Sequence, residues 1–258
     1  MPRLSNVWKT GRPRVPVLSC RRARCSIRRI MFKLLQLGML LCALSLPLGA
    51  ATGGVCFARG QWDTNRWTAV RLPHQKTLRE FVQRETSLGT QAFTAGDIKA
   101  QLDNVLMMTD TGTTEGEFAV TFALAADHGT APGIFLAPTV KDGVLDSAIA
   151  IFVASYTMAV WAAQTDPATG ATQYKHLVRV NRWTEPNQPH VLRCRYSKAR
   201  NSVVLRLDQG DPVLLREVGL TPNSLVGIWG CHGPCDFYSI SFPPKPTLEW
   251  SASDPKQK

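Results

Sequence analysis

Apolar and polar residues alternate with a period of two through most of the chain between residues 117 and 242. In the clearest example, Phe118, Val120, Phe122 and Leu124 alternate with small or polar residues, so the large side chains fall on one face. This is the period of a β-strand that buries one face. The same alternation, interrupted by Gly, Pro, Asp and Asn turns, predicts further strands at 134–136, 175–182, 192–196, 203–207, 213–216, 225–230 and 236–242.

Two other segments need separate interpretation. The apolar segment 146–164 exceeds the length of one strand, and its division near Ser155 predicts two strands. The spacing of apolar residues in 78–85 also suits one helical turn, and we predict a strand there. Short strands at intervals of about 8 to 12 residues, with turn signals between them, predict an all-β protein built as a β-sandwich.

The N-terminal region has the layout of a secretory signal peptide. An uncharged apolar run at 34–48 follows many arginines and precedes a small-residue segment, so cleavage is predicted after Ala50 or Ala51. The run is shorter than the ~20 residues of a membrane-spanning helix. We therefore predict a leader at 1–50, with the true start at Met31, and a protein that is secreted, periplasmic or at the cell surface. An uncleaved membrane anchor and a lipid attached at Cys56 are the alternatives.

Removal of the leader changes the charge of the protein. Residues 1–50 contain 10 of the 30 Lys and Arg residues and none of the 19 Asp and Glu residues, so the formal net charge falls from +11 to +1. The chain then lacks a strong basic surplus, and we predict no nucleic-acid partner and no stable membrane insertion after cleavage. The remainder divides into a flexible segment at 51–65, one domain at 66–242 and a disordered tail at 243–258.

Three passages carry a resemblance to a known family. They are GEFAVTFAL (116–124) with PGIFLAP (132–138), PHVLRCRYSKARNSVVLRLDQGDPV (189–213), and NSLVGIWGCHGPCDFYSISF (223–242). Together they resemble the concanavalin A-like, laminin-G-like jelly roll, and within it the 3-keto-disaccharide hydrolase-like (DUF1080-type) branch. The resemblance implies an antiparallel two-sheet jelly-roll sandwich. It also implies a function on glycans, because that branch cleaves keto-disaccharides.

The sequence departs from this family where chemistry is expected. Residues 131–133 read Ala-Pro-Gly where the branch has Asn-Ser-Gly, which removes two polar side chains. The paired acidic motif of glucanases is absent, because Glu115-Gly116-Glu117 lacks the central aspartate. No catalytic residue is therefore predicted. We favour a domain that binds carbohydrate or another extracellular polymer; a glycoside hydrolase or lyase and a structural cell-envelope domain are the alternatives.

Five residues are predicted to bind the ligand. Strand alternation places Arg193, Arg195 and Arg206 on one outer face, where guanidinium groups could donate to sugar hydroxyls or an anionic glycan. A solvated basic face is the other interpretation of the same pattern. Trp161 and Trp183 lie beside turns and are the candidate platforms for the apolar face of a sugar ring. Trp229 is predicted to pack in the core.

The cysteines outside the leader are predicted to be structural. In an exported chain, Cys56, Cys194, Cys231 and Cys235 favour disulfides. Of three possible connectivities we prefer Cys231–Cys235, across an apparent hairpin loop, together with Cys56–Cys194. The five histidines are scattered and no metal-type spacing is present, so neither a metal site nor another cofactor is predicted.

Overall fold

The computed structural model describes part of the chain, namely residues 53–91, 104–125, 130–166, 168–243 and 247–250. The predicted leader at 1–50 lies outside the described residues, and so does most of the predicted tail. Within the described ranges, no helix is both long and apolar enough to span a membrane.

The described residues form strands joined by turns and one short 3-10 helix at Thr64–Arg66. In chain order the strands are β1 (Val55–Cys56), β2 (Thr68–Val70), β3 (Val82–Gln83), β4 (Leu88–Gly89), β5 (Asn104–Asp110), β6 (Glu115–Leu124), β7 (Gly133–Lys141), β8 (Val144–Ala154), β9 (Thr157–Thr165), β10 (Thr172–Asn181), β11 (His190–Ser197), β12 (Ser202–Leu207), β13 (Val213–Arg216), β14 (Leu225–Cys231) and β15 (Cys235–Ser241).

These strands form two antiparallel sheets. Sheet A has eight strands in the order β13-β12-β11-β6-β15-β4-β3, with β1 also paired to β15. Sheet B has seven strands in the order β10-β9-β8-β7-β14-β5-β2. Sequential strands β7 to β10 are neighbours and form a meander, whereas β14 and β15 follow each other in the chain and lie in different sheets.

The main core lies between the two sheets and follows the predicted alternation. Phe118, Val120 and Phe122 on β6 face inward and are almost completely buried. From sheet B, Ile149 and Ile151 on β8 belong to the same core cluster. The strand pattern predicted between residues 117 and 242 is thus confirmed, including the division of 146–164, where β8 ends at Ala154 and β9 begins at Thr157.

Three expectations need correction. Only Val82–Gln83 within the predicted strand 78–85 is a strand. The strand β5 was not predicted, although it pairs with β14 along all seven of its residues. In the segment 51–65, predicted to be flexible, Phe57 is fully buried and its ring centroid lies 5.5 Å from that of Trp62.

Candidate functional site

The five predicted ligand-binding residues do not converge in the structure. Arg193, Arg195 and Arg206 share the outer face of sheet A as predicted, since the residues between them, including Cys194 and Leu205, are buried in the core. Trp161 lies on the outer face of sheet B, on the opposite side of the sandwich. Trp183 lies beyond the end of β10. The arginines and tryptophans therefore cannot act on one ligand unit as a single site.

An unbroken row of aromatic rings crosses the outer face of sheet B. Phe135 and Trp229 stack with centroids 5.1 Å apart, and Trp229 meets Phe152 edge-on at 6.2 Å. Phe152 then stacks with Trp161 at 6.4 Å and an interplanar angle of 13°. His176 closes the series 4.7 Å from Trp161. We call these five residues the aromatic row.

Strand register explains why the row forms. Trp161 on β9 lies opposite His176 on β10, and both alternate with core positions of their strands. Phe152 on β8 lies opposite Gly133 on β7, and Gly133 in turn lies opposite Trp229 on β14. A Cβ at Gly133 would lie 3.0 Å from the Trp229 ring and 3.2 Å from the Phe152 Cβ. The absence of a side chain at Gly133 therefore lets the two rings meet.

The exposure of the rings differs along the row, with its buried member on β7 and its exposed member on β10. Phe135 is buried, Phe152, Trp161 and Trp229 are half-buried, and His176 is exposed. The indole Nε1 of Trp161 is buried and has no hydrogen-bond partner. Burying an N–H donor without an acceptor is unfavourable.

Part of the same face is closed by the chain itself. The segment after β2 crosses the β7–β8 hairpin, where the Arg71 N–H donates to the Gly143 carbonyl at 3.1 Å and the Arg71 carbonyl accepts from the Leu145 N–H at 2.9 Å. Leu72 and Leu145 join Leu106 in a second apolar cluster on this face. The Trp229 and Trp161 rings pack against that cluster, so the row extends its apolar surface.

Trp183 forms a separate exposed aromatic pair. Its ring centroid lies 4.7 Å from that of Tyr156, and the two residues are 56% and 64% exposed. The pair is held by backbone hydrogen bonds between the β8–β9 turn and the chain after β10, since the Thr184 N–H donates to the Ser155 carbonyl at 2.8 Å. Trp183 is therefore an exposed ring outside the aromatic row.

The arginine face of sheet A is partly occupied by the C-terminal segment. Residues 247–250, which we call the strap, lie on this face although they fall in the predicted disordered tail. The Glu117 carboxylate accepts from the Thr247 and Leu248 N–H groups at 2.6 and 2.8 Å and from the Thr247 hydroxyl. Arg195 donates to the Leu248 carbonyl at 2.6 Å, and its guanidinium lies 4.8 Å from the Trp250 ring centroid.

The acidic residues near this face are used as hydrogen-bond acceptors for structure. Glu117 is 5% exposed and holds the strap. Glu115 accepts from the Ser197 hydroxyl at 2.7 Å and from the Ala199 N–H at 3.1 Å, which fixes the β11–β12 turn. Neither carboxylate is presented to a groove as the acid or base of a glycosidase would be. Among the described residues, no group of His, Cys, Asp and Glu has the arrangement of a metal site.

None of the four described cysteines is in a disulfide in this structure. The predicted Cys56–Cys194 bridge is wrong, because β15 and β6 separate β1 from β11. Three strand spacings alone place the two residues at least about 14 Å apart, twice the longest disulfide span. The reasoning behind Cys231–Cys235 also fails: these residues end β14 in sheet B and begin β15 in sheet A, so they are not cross-strand partners. Burial raises the pKa of the Cys235 thiol to about 12 and that of Cys194 well above its usual range.

Sequence reasoning found Trp161 but missed its neighbours. Trp229 was predicted to pack in the core, and it lies instead on the outer face beside Leu106 and Phe135. Phe135 and Phe152 were read only as parts of strands. The alternation could have indicated these two positions. Phe135 and Phe152 directly follow the core residues Ile134 and Ile151 in their strands, so their side chains point to the opposite face.

Comparison with known proteins identifies the fold. No protein-family model matches the chain, and no curated protein matches it. The structure is similar to a Bacillus licheniformis beta-glucanase with a TM-score of 0.52 at 10% sequence identity, covering 77% of this chain and 100% of that chain. A native glycosidic hydrolase gives a TM-score of 0.53 at 8% identity, covering 78% of this chain and 99% of that chain.

The carbohydrate recognition domain of Emp46p, in a metal-free form, is similar with a TM-score of 0.51 at 10% identity, covering 75% of this chain and 98% of that chain. These likenesses show the fold, an antiparallel two-sheet jelly-roll sandwich of the concanavalin A-like class. They confirm the fold class predicted from the sequence. The narrower resemblance to the 3-keto-disaccharide hydrolase-like branch stays a prediction.

Proposed function

We propose that this protein is an exported carbohydrate-binding domain whose aromatic row holds a polysaccharide. The observation that carries the proposal is the series of rings on the outer face of sheet B, from Phe135 to the exposed His176, with ring centroids 4.7 to 6.4 Å apart. Sugar rings present apolar C–H faces and a rim of hydroxyl groups, so they suit an aromatic platform bordered by polar atoms.

Polar groups suited to sugar hydroxyls lie along the same row. The unpartnered Trp161 Nε1 is a donor, and a hydroxyl oxygen is a suitable acceptor for it. At the exposed end, the side chains of Tyr174 and His176 stand on the same face of β10 and can donate or accept.

The described outer-face positions beside the rings supply no carboxylate. Trp161 is flanked on its own strand by Ala159 and Ala163, and its cross-strand neighbours are Ala150 and His176. Glycoside hydrolysis in most families requires two carboxyl groups facing the scissile bond. We therefore favour binding over cleavage. Binding of a carbohydrate also agrees with the names of two similar structures, a beta-glucanase and a carbohydrate recognition domain.

The proposal is tested with neutral polysaccharides. We expect the full chain to bind at least one of laminarin, xylan and dextran in titration calorimetry, and Trp161→Ala to weaken that binding at least about tenfold, or about 1.4 kcal/mol. The matched control is Trp183→Ala, which removes an exposed tryptophan outside the row and should leave the affinity unchanged.

Two results would contradict the proposal. If none of the three polysaccharides binds, or if Trp161→Ala binds as tightly as the parent chain, the structural cell-envelope domain becomes the better interpretation. Release of sugar from a keto-disaccharide in the same preparations would instead favour the hydrolase alternative. N-terminal sequencing of exported protein should begin at Ala51 or Thr52, and an intact N-terminus would favour the anchor.

A further inference from the structure

Two arginines on the outer face of sheet A lie side by side, and neither has a partner among the described residues. Arg193 on β11 and Arg206 on β12 are directly opposite each other in the strand register. Directly opposed residues in an antiparallel pair have Cβ atoms about 5 Å apart, and like charges in this arrangement are destabilising. Both residues are half-buried, which limits the screening of their repulsion by water. We call them the arginine pair.

The neighbouring carboxylates do not pair with the two arginines. Asp208, two residues beyond Arg206, accepts from the Val191 N–H at 2.9 Å and lies 2.9 Å from the His190 Nδ1. Among the described contacts, neither Arg193 nor Arg206 forms an ion pair, and the Arg206 Nε is buried with no hydrogen-bond partner. On the β6 side, Arg193 is opposite Ala119, which has no polar side chain. The nearest carboxylate along β6, Glu117, is already committed to three donors of the strap.

Arg195 shows what this face does when a partner is present. It lies on the same outer face two residues from Arg193, and there it donates to the Leu248 carbonyl and packs on the Trp250 ring. The strap thus satisfies one of the three predicted arginines. Within the described part of the chain, the other two retain forks of unpaired N–H donors, whose planar geometry matches the oxygens of a carboxylate or a sulfate.

We propose that the arginine pair is an oxyanion-binding site that takes the carboxylate or sulfate group of an acidic polysaccharide. A bound oxyanion would accept from both guanidinium groups, satisfy the Arg206 Nε, and cancel the repulsion between the two charges. The site lies on the opposite face from the aromatic row and does not depend on the function proposed for that row. The carboxylate and the sulfate ester share this chemistry, and the test separates them.

The test measures binding of the protein purified after export and removal of the predicted basic leader. The polymers are polygalacturonate, which carries carboxylates, and dextran sulfate, which carries sulfate esters. Dextran is the uncharged reference. We expect at least one charged polymer to bind more tightly than dextran. This gain in affinity over dextran should disappear at high salt. The double variant Arg193→Gln with Arg206→Gln should lose that gain, at least about tenfold in affinity.

Controls distinguish this site from general charge and from the aromatic row. Arg179→Gln removes an exposed arginine from the outer face of sheet B and should leave the gain intact. Trp161→Ala should also leave it intact, so failure of the carbohydrate proposal and failure of this one give different results. The variant Arg193→Lys with Arg206→Lys keeps both charges and alkyl stems and loses the planar guanidinium forks. Its affinity for the charged polymer should lie between those of the parent chain and the glutamine variant.

The proposal is overturned if neither charged polymer binds more tightly than dextran at low salt. It is equally overturned if the glutamine variant, folded by circular dichroism, keeps the gain, or if Arg179→Gln loses as much. Should the glutamine variant not fold, the lysine variant decides: unchanged affinity there contradicts recognition by the guanidinium forks.

Discussion

On sheet B the positions that point away from the core carry Phe135, Phe152, Trp161 and Trp229, whereas on sheet A the arginine pair occupies such positions. Both faces arise from the same strand alternation around one core. Strand alternation therefore determines which residues point away from the core, but it does not determine what kind of surface they form. On sheet B they build a second apolar layer; on sheet A they build a charged surface that recruits the strap.

The largest expected difference between the faces is in stability. Phe135 is 1% exposed although it lies outside the main core, so Phe135→Ala should lower the free energy of unfolding by about 3–5 kcal/mol, as for a core phenylalanine. Thr121→Ala is the matched control on the outer face of sheet A, and a change within about 0.5 kcal/mol is expected there. Denaturant unfolding of both variants measures the contrast.

Equal changes in the free energy of unfolding of these two variants would contradict the proposed difference between the two outer faces. A small change in Phe135→Ala would mean that the outer layer of sheet B contributes little to folding. The rings of the aromatic row would then lie on the surface without belonging to a packed layer.

This layer also shows where sequence reasoning succeeds and fails. Strand β6 was predictable because one face is large and apolar and the other is small or polar. Strand β5 was not, because Leu106 and Met108 face the outer cluster while Met107 faces the main core. A strand buried on both faces reads as a continuous apolar run, and the period-two signal disappears.

The site was less predictable than the fold for a related reason. Alternation placed the arginines on one face. Trp161 was selected because it was expected beside a turn, whereas it lies in the middle of β9. Neither signal tells to which sheet a strand belongs. The contact between Glu117 and Leu248 joins residues 131 positions apart in the chain. Neither a local pattern nor composition indicates such a contact, so the strap was predicted as a disordered tail.

The strap supplies the next test of the comparison. Glu117 is buried and accepts three hydrogen bonds from it, so Glu117→Ala should lower the free energy of unfolding by about 1–3 kcal/mol and release residues 247–250. Hydrogen exchange at the Leu248 amide should accelerate strongly, because this N–H donates to the lost carboxylate. Backbone exchange in β8 and β9 of sheet B should remain slow.

Arg200→Gln is a control that removes a weaker contact to the strap. Its guanidinium lies 5.5 Å from the Trp250 ring centroid and makes no hydrogen bond to the strap among the described contacts, so only a slight acceleration is expected. If the Leu248 amide exchanges equally fast in the parent chain and in Glu117→Ala, then Glu117 does not hold the strap on the outer face of sheet A.

The smallest expected effect concerns a carboxylate at the end of sheet B, in contrast to Glu117 on sheet A. Asp110 on β5 accepts from the Ser224 hydroxyl and, at 2.8 Å, from the Gly112 N–H. These bonds stabilise the charged form and lower the pKa of Asp110 from its ordinary value of 3.8. A carboxyl group with a lowered pKa stabilises the folded state above pH 3.8, and this stabilisation is lost as the pH falls through the lowered pKa.

Asp110→Asn should therefore be less stable than the parent chain at pH 6, and the difference should shrink as the pH falls below 3.8. Because Asp110 is exposed, solvent screening keeps the difference below about 1 kcal/mol. Urea unfolding at pH 6, 4 and 3 measures it. Asp142→Asn is the control, since Asp142 lies in an exposed turn and makes no hydrogen bond among the described contacts. A difference between Asp110→Asn and the parent chain that stays constant from pH 6 to pH 3 would mean that the Ser224 and Gly112 bonds do not depend on the charge of Asp110.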